Sequence, residues 1–270
     1  MTDSATLSAD DAFVPGDHVQ ELSFLATDEE LLLLLQDHRG ALMKLYPEGA
    51  DELSRGVANA VKRSLVARRA VILDEEGARL ELLQPWAGLV ETLTAGDRFC
   101  RLTFDGDDRS ARLVLVGEDA LFTIDRDPTG VNTVTISVPE FAARVATELL
   151  VGDGIRDDDE LVAPVDFATH RLTADALAEG RQALEQGDDV RGERLLGPTT
   201  EFFRRATRTV RVETMQLTGG VVHGSEFDVL DAGSGGWARV VFAGDDTPDV
   251  IVTPLSDDEL SAAMARALAS

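Results

Sequence analysis

Four histidines, one cysteine, a glycine-flanked serine and several aspartate runs are the residues of this 270-residue chain with chemistry to offer. His18, His38, His170 and His223 never stand at the spacing that puts two imidazoles on one helix face. None lies near Cys100 in sequence, so no zinc centre is expected. Cys100 falls within Phe99-Cys100-Arg101-Leu102-Thr103-Phe104 and reads as an ordinary strand thiol; a lone cysteine also excludes an internal disulfide. Ala232-Gly233-Ser234-Gly235-Gly236 resembles a nucleophile elbow, which needs a strand-to-helix turn and a histidine later in the chain. Strands are expected on both sides of it, no histidine follows Ser234, and the segment reads as a hairpin loop. Asp105-Gly106-Asp107-Asp108 and Asp157-Asp158-Asp159-Glu160 lack the spaced ligands and terminal glutamate of a calcium loop, and read as solvated acidic loops. No phosphate-binding glycine loop is present. With 50 acidic residues, a paired-carboxylate site has no sequence signature of its own. The expectation is a chain without catalytic residues, metal or cofactor.

The net charge of −25 repels phosphate backbones. The one basic cluster, Arg204, Arg205, Arg208 and Arg211, reads as a solvated helix face, so no nucleic-acid partner is expected. One tyrosine and two tryptophans do not make a stacking platform for bases. Only Lys44 and Lys62 are lysines, an arginine bias typical of GC-rich genomes such as those of actinobacteria or salt-adapted archaea. The densest apolar run, Leu31 to Leu35, is far below the roughly 20 residues of a membrane span. Met1 to Asp11 has no secretory-signal pattern. A cytoplasmic protein without membrane insertion is expected.

The elements that must position these residues change character along the chain. Residues 1–26 read as a flexible acidic tail. Thr27-Asp28-Glu29-Glu30 is a capping box that opens a helix through Leu31 to Leu35, whose all-round leucine content calls for burial in a core or under a partner. Tyr46-Pro47-Glu48-Gly49 breaks the chain. A second helix is expected over Asp51 to Arg68, Val71 to Leu73 is apolar, and Leu80 to Thr94 has the leucine spacing of a third helix, with Pro85 in its first turn and Gly96 closing it. The period then switches to two over Arg98 to Phe104, Arg112 to Val116, Ala120 to Asp125 and Asn132 to Ser137, an antiparallel meander. A helix follows from Val138-Pro139-Glu140. Residues 152–164 form an acidic linker between a first half, 27–151, and a second half, 165–270.

The second half repeats the order. Helices are expected over Thr173 to Gln186, Asp188 to Leu196 and Thr199 to Thr207. Strands follow over Thr209 to Leu217, Glu226 to Leu230, Trp237 to Phe242 and Val250 to Thr253, and a last helix opens with a Ser256-to-Glu259 capping box. Each half ends in a β-branched strand, a proline and an alanine-rich helix: Val134 to Pro139 in one, Val250 to Pro254 in the other. Proline lacks the N–H of a ladder and is expected to end each strand, with the helix folding back over the sheet. The fold class is therefore α+β: a central antiparallel sheet with helices, in two pseudo-symmetric halves.

Several stretches resemble the EspG family, cytosolic substrate chaperones of actinobacterial type VII (ESX) secretion systems. They are Ser64-Leu65-Val66-Ala67-Arg68-Arg69-Ala70-Val71-Ile72, Gly77-Ala78-Arg79-Leu80, and Leu89-Val90-Glu91-Thr92-Leu93. Further along come Ser110-Ala111-Arg112-Leu113, Asp119-Ala120-Leu121-Phe122, Val134 to Pro139, and Phe227-Asp228 through Val250 to Pro254. The resemblance runs from Thr27 to Ser270. Arg69-Ala70 stands where the family usually has Arg-Gly, and the acidic linker and the Leu31 to Leu35 run depart from its pattern. It implies a non-enzymatic protein that binds the hydrophobic tip of a helical secreted partner, of WxG or PE/PPE type, and keeps it soluble. The positions it implies for contact are the first hairpin loop, with Asp105, Asp107, Asp108 and Arg109, and helices carrying Leu195, Leu196, Phe202 and Phe203. Core packing of Phe202-Phe203 is the competing reading. Two other functions remain open at this level: an acidic regulator or immunity-type protein steered to a basic partner, and an enzyme with a dispersed acidic site.

Overall fold

The structure is a computed structural model that describes residues 22–47, 49, 52–73, 80–96, 98–105, 111–127, 129–151, 165–218, 221–233, 236–243 and 249–269. The expected tail up to residue 21, the 152–164 linker with Asp157 to Glu160, the loop positions Asp107, Asp108 and Arg109, and Ser234 lie outside the described residues.

Ten strands form one antiparallel sheet. In the first half these are β1 (Leu22–Thr27), β4 (Arg98–Phe104), β5 (Ala111–Val116), β6 (Leu121–Arg126) and β7 (Val131–Ser137). In the second half they are β8 (His170–Thr173), β9 (Arg208–Thr218), β10 (Val221–Asp231), β11 (Trp237–Ala243) and β12 (Asp249–Leu255). A separate hairpin pairs β2 (Val71–Leu73) with β3 (Leu80–Leu82). The order across the large sheet is β1-β7-β6-β5-β4-β9-β10-β11-β12-β8. Read outward from the centre, both halves follow one path: four meander strands, then the half's first strand at the edge. The antiparallel β4–β9 pairing, from Arg98 opposite Gln216 to Phe104 opposite Val210, joins them about a pseudo-twofold.

Strand alternation sends side chains to two faces. Cys100, Leu102 and Phe104 of β4 and Val210 and Val212 of β9 enter one central core. Two helices cover it, α5 (Ala142–Val151) after the first meander and α9 (Asp257–Ala269) after the second. On the opposite face each half has its own core. In the first half α1 (Asp28–Leu35), α2 (Arg39–Leu45), α3 (Arg55–Ala67) and α4 (Trp86–Ala95) enclose Leu31, Leu35, Leu65, Leu89, Leu113 and Ile124. In the second, α6 (Ala174–Glu185), α7 (Asp189–Leu196) and α8 (Thr200–Arg205) enclose Leu196, Phe202, Val240 and Val252. The Leu31 to Leu35 run thus resolves as core: Leu31, Leu33 and Leu35 are buried and Leu32 and Leu34 half-buried.

The Thr27–Glu30 and Ser256–Glu259 capping boxes both form. Four expectations are corrected. Residues 22–26, assigned to the tail, form most of β1, whose Phe24 packs its ring 4.9 Å from Trp86. Leu80 to Leu82 is strand rather than helix, because Leu80-Glu81-Leu82 pairs with Val71-Ile72-Leu73. The helix starts only after the cis Gln84–Pro85 bond, in keeping with the bias of a residue before proline away from helical backbone. The helix expected from Asp51 begins at Arg55, capped by the Ser54 hydroxyl. Pro139 does follow its strand, but Pro254 lies within β12. β8 pairs with β12 only from Asp249 to Val252, so beyond Val252 β12 has one ladder partner and the missing proline N–H breaks no bond.

Candidate partner-binding surface

The helices of the two flanking cores leave a polar strip of sheet between them. Across β4, β9 and β10 it carries Arg101 opposite Glu213 opposite Glu226, and Thr103 opposite Arg211 opposite Asp228. These are the positions whose strand neighbours fill the central core, so alternation alone directs them to this face.

Arg101 is almost fully buried at the first-half margin of the strip. Its Nη1 donates to Glu213 Oε2 at 2.9 Å, and its Nη2 donates to the Lys44 and Met43 carbonyls at 2.6 and 3.2 Å. Those carbonyls belong to the last turn of α2, where orphan acceptors and the helix dipole favour a cation. Lys44 serves α4 in the same way, its Nζ donating to Leu93 O at 2.9 Å and Gly96 O at 2.7 Å. A chain of contacts therefore runs from β9 through Arg101 to α2 and α4. At the centre of the strip, exposed Arg211 lies 3.3 Å from both Asp228 and Glu226. The Asp228 carboxylate, helped by the charges of Glu226 and Asp105, holds the Arg211 guanidinium protonated more firmly than usual.

One expected contact residue lies at an end of the strip. Asp105, at the start of the first hairpin loop, is exposed, and its N–H donates to Thr209 O at 3.0 Å. The loop therefore departs beside the segment that leads out of α8. Leu195 is half-buried on α7. Leu196, Phe202 and Phe203 are instead core residues, which is the competing reading for the two phenylalanines. Phe202 is completely buried, its ring 5.5 Å from that of Phe167 and 6.2 Å from that of Phe203. Leu196 lies over Gly180, where an added Cβ would come within 2.5 Å of its side chain.

Several surface residues had no sequence signal. Val190 of α7 is 80% exposed, an apolar residue on the polar side of its helix. Met43 and Met215 are exposed on α2 and β9, at the first-half margin. The arginine cluster is not one helix face: Arg204 and Arg205 sit on α8, Arg208 and Arg211 on β9. Each has a carboxylate. Arg204 pairs with Glu201 and Asp189, Arg205 with Glu201, Arg208 with Asp231, and Arg211 with Asp228. That leaves a balanced surface rather than a basic patch.

Cys100 is buried, and loss of solvent, reinforced by the charge of Glu213, pushes its thiol up to about 12. It is therefore a poor nucleophile. Among the described residues no group of three or more His, Cys, Asp or Glu side chains converges as a metal site. No helix there is long and apolar enough to cross a membrane. A cleft of about 580 Å³ lies between α4 and the β5–β6 turn and is lined by Glu91, Arg98, Glu118 and Phe122, away from the strip.

Neither protein-family models nor curated proteins match the chain. Among solved structures it is similar to the Mycobacterium tuberculosis type VII secretion system chaperone EspG5, in a structure of EspG5 in complex with the PE25–PPE41 dimer. The likeness has a TM-score of 0.62 at 13% sequence identity and covers 92% of this chain and 96% of the other. Across both halves, this chain has an EspG-like α+β fold.

Proposed function

We propose that this protein is a cytosolic chaperone or adaptor of a type VII secretion pathway that binds a helical PE/PPE-type partner and keeps it soluble before export. The observation that carries this reading is the fold likeness, over nearly the whole of both chains, to a chaperone seen with a PE–PPE dimer. The local geometry is consistent with it. Asp105, where the first hairpin loop starts, is bonded beside the segment that leads out of α8 at one end of the strip, and α7, tied to α8 by the Arg204–Asp189 pair, offers the apolar surface of exposed Val190 and half-buried Leu195. Asp107, Asp108 and Arg109 extend that loop in sequence and are proposed as contacts with Asp105 and Leu195. Leu196, Phe202 and Phe203 would act from beneath, as the core that holds α7 and α8 in place.

The test is co-expression with a PE–PPE-type heterodimer from the same genome. The expected result is one soluble complex that co-elutes in gel filtration and a heterodimer that precipitates when expressed alone. A heterodimer equally soluble with and without this chain, and no co-elution, would overturn the proposal.

A further inference from the structure

The two outer edges of the ten-stranded sheet end differently. β8 is short, four residues, and carries Arg171 in an exposed ion pair with Asp249 at 3.3 Å. Shortness and charge are standard means of keeping an edge from pairing with another chain. β1 has neither. Its six residues, Leu22-Ser23-Phe24-Leu25-Ala26-Thr27, include no charge and no proline, and Leu22 and Leu25 are 56% and 54% exposed. Such a segment is a template for another strand.

Backbone hydrogen bonds show which groups of β1 face outward. The Asp28 N–H donates inward to Gly130 O beside β7, so the even-numbered residues point to the sheet and Ser23, Leu25 and Thr27 point away. Two of the outward groups are already taken by one ion pair. The Thr27 N–H donates to Glu30 Oε2 at 3.0 Å, and Arg68 Nη2 donates to the Leu25 carbonyl. The pair is firmly held. Arg68 Nη1 reaches both Glu30 oxygens at 2.8 and 2.9 Å, the Ser64 hydroxyl donates to Glu30 Oε1, and the guanidinium lies 5.4 Å from the Trp86 ring. Glu30 itself is buried, so the carboxylate cannot swing away to water without losing these donors.

We propose that the Glu30–Arg68 pair is an edge guard, which occupies the outward groups of β1 and prevents antiparallel pairing of this strand with the β1 of a second copy. An approaching strand needs Leu25 at the middle of its ladder, and there it meets the Arg68 side chain instead of a free carbonyl. The pair thus has a role beyond holding α3 against α1: it keeps monomeric a sheet whose other edge is protected by its shortness and charge.

The test compares wild type with Glu30→Gln/Arg68→Met by sedimentation over a range of concentrations, at high salt to screen the −25 net charge. The double substitution removes both charges together, and the amide oxygen of the introduced glutamine can still accept from Thr27. Arg68→Lys keeps a cation beside Glu30 but has no second nitrogen for Leu25, and covers the case in which the double variant fails to fold. The expected result is self-association at least tenfold tighter than wild type in any folded variant. It should be reversed by adding Ser23→Pro, which removes an outward N–H and no backbone bond to β7, at the loss of the exposed 3.0 Å hydroxyl contact between Ser23 and Thr135. Folded variants that stay as monomeric as wild type, association that Ser23→Pro leaves intact, or a wild-type protein already dimeric through β1 would each overturn the proposal.

Discussion

Arg101 and Glu213 stand directly opposite each other in the β4–β9 ladder and close an ion pair of 2.9 Å, the charged contact nearest the pseudo-twofold on the helix-flanked face. Removing either partner costs stability for a different reason. Glu213→Ala leaves a nearly buried guanidinium with only the two α2 carbonyls, so a loss of about 2–4 kcal/mol is expected. Arg101→Ala leaves a part-exposed carboxylate that water can reach, but it also strips the cation from the end of α2 and should cost about as much. Chemical denaturation of both single variants and the double variant closes the cycle. A coupling energy near zero would mean that the two halves are joined by the ladder and the central core alone.

Phe202 and Leu195 divide the expected contact residues by role. Phe202→Ala should lower stability by about 3–5 kcal/mol, because the ring is fully enclosed. Asp105→Arg should leave stability within about 0.5 kcal/mol, Leu195→Asp, at a half-buried site, should cost about 1 kcal/mol, and both should act mainly on partner affinity. Thermal melts of the free protein, set beside pull-downs of the partner, separate the two effects. A Phe202→Ala variant as stable as wild type would overturn its placement in the core.

Gly180 and Gly192 let α6 and α7 approach closely. A Cβ at Gly180 would come within 2.5 Å of Leu196, and one at Gly192 within 2.6 Å of Leu184. Gly180→Ala gains helix propensity yet should destabilise by about 1–3 kcal/mol through overpacking. A net stabilisation in urea titrations would mean that the helix pair shifts apart at little cost.

Tyr46 is the only tyrosine in the chain, so tyrosinate absorbance reports it without ambiguity. Burial first, then the charge of Asp28 and the 2.9 Å hydrogen bond that the phenol donates to it, raise its ionisation above the ordinary value near 10. The buried Cys100 thiol moves the same way, from 9 to about 12. In both cases the unfolded chain releases its proton at lower pH than the folded one. The stability these groups contribute is present below pH 9 and declines as pH rises, through about 12 for the thiol. The tyrosinate signal should therefore appear only with unfolding. Cys100→Ala should flatten the loss of stability between pH 9 and 12. Tyrosinate absorbance rising while circular dichroism stays native would contradict the burial of Tyr46.

Much of this architecture was legible in the residues because local signals and global fold agree. The two capping boxes, the period-two meanders and the duplicated endings each specify an element without long-range help. The errors fell where neighbours decide. Leu80-Glu81-Leu82 suits either helix or strand until Val71 to Leu73 is placed beside it. Pro254 reads as a strand end until β12 is known to lack a second partner at that point. β1 was hidden because six uncharged residues after an acidic stretch carry no turn signal. The candidate surface was less legible than the fold. Phe202 and Phe203 advertise apolar area whether it faces a core or a partner. Arg101 and Glu213, 112 residues apart, meet only because the two meanders join in one sheet.

The central claim is that the open strip, with α7 beside α8, receives a helical partner. Hydrogen–deuterium exchange of this protein, alone and with a PE–PPE-type heterodimer from the same genome, tests it most directly. The account predicts slower exchange at Asp105 and along α7, with α5 and α9 on the opposite face unchanged. No protection anywhere, or protection confined to α5 and α9, would contradict it.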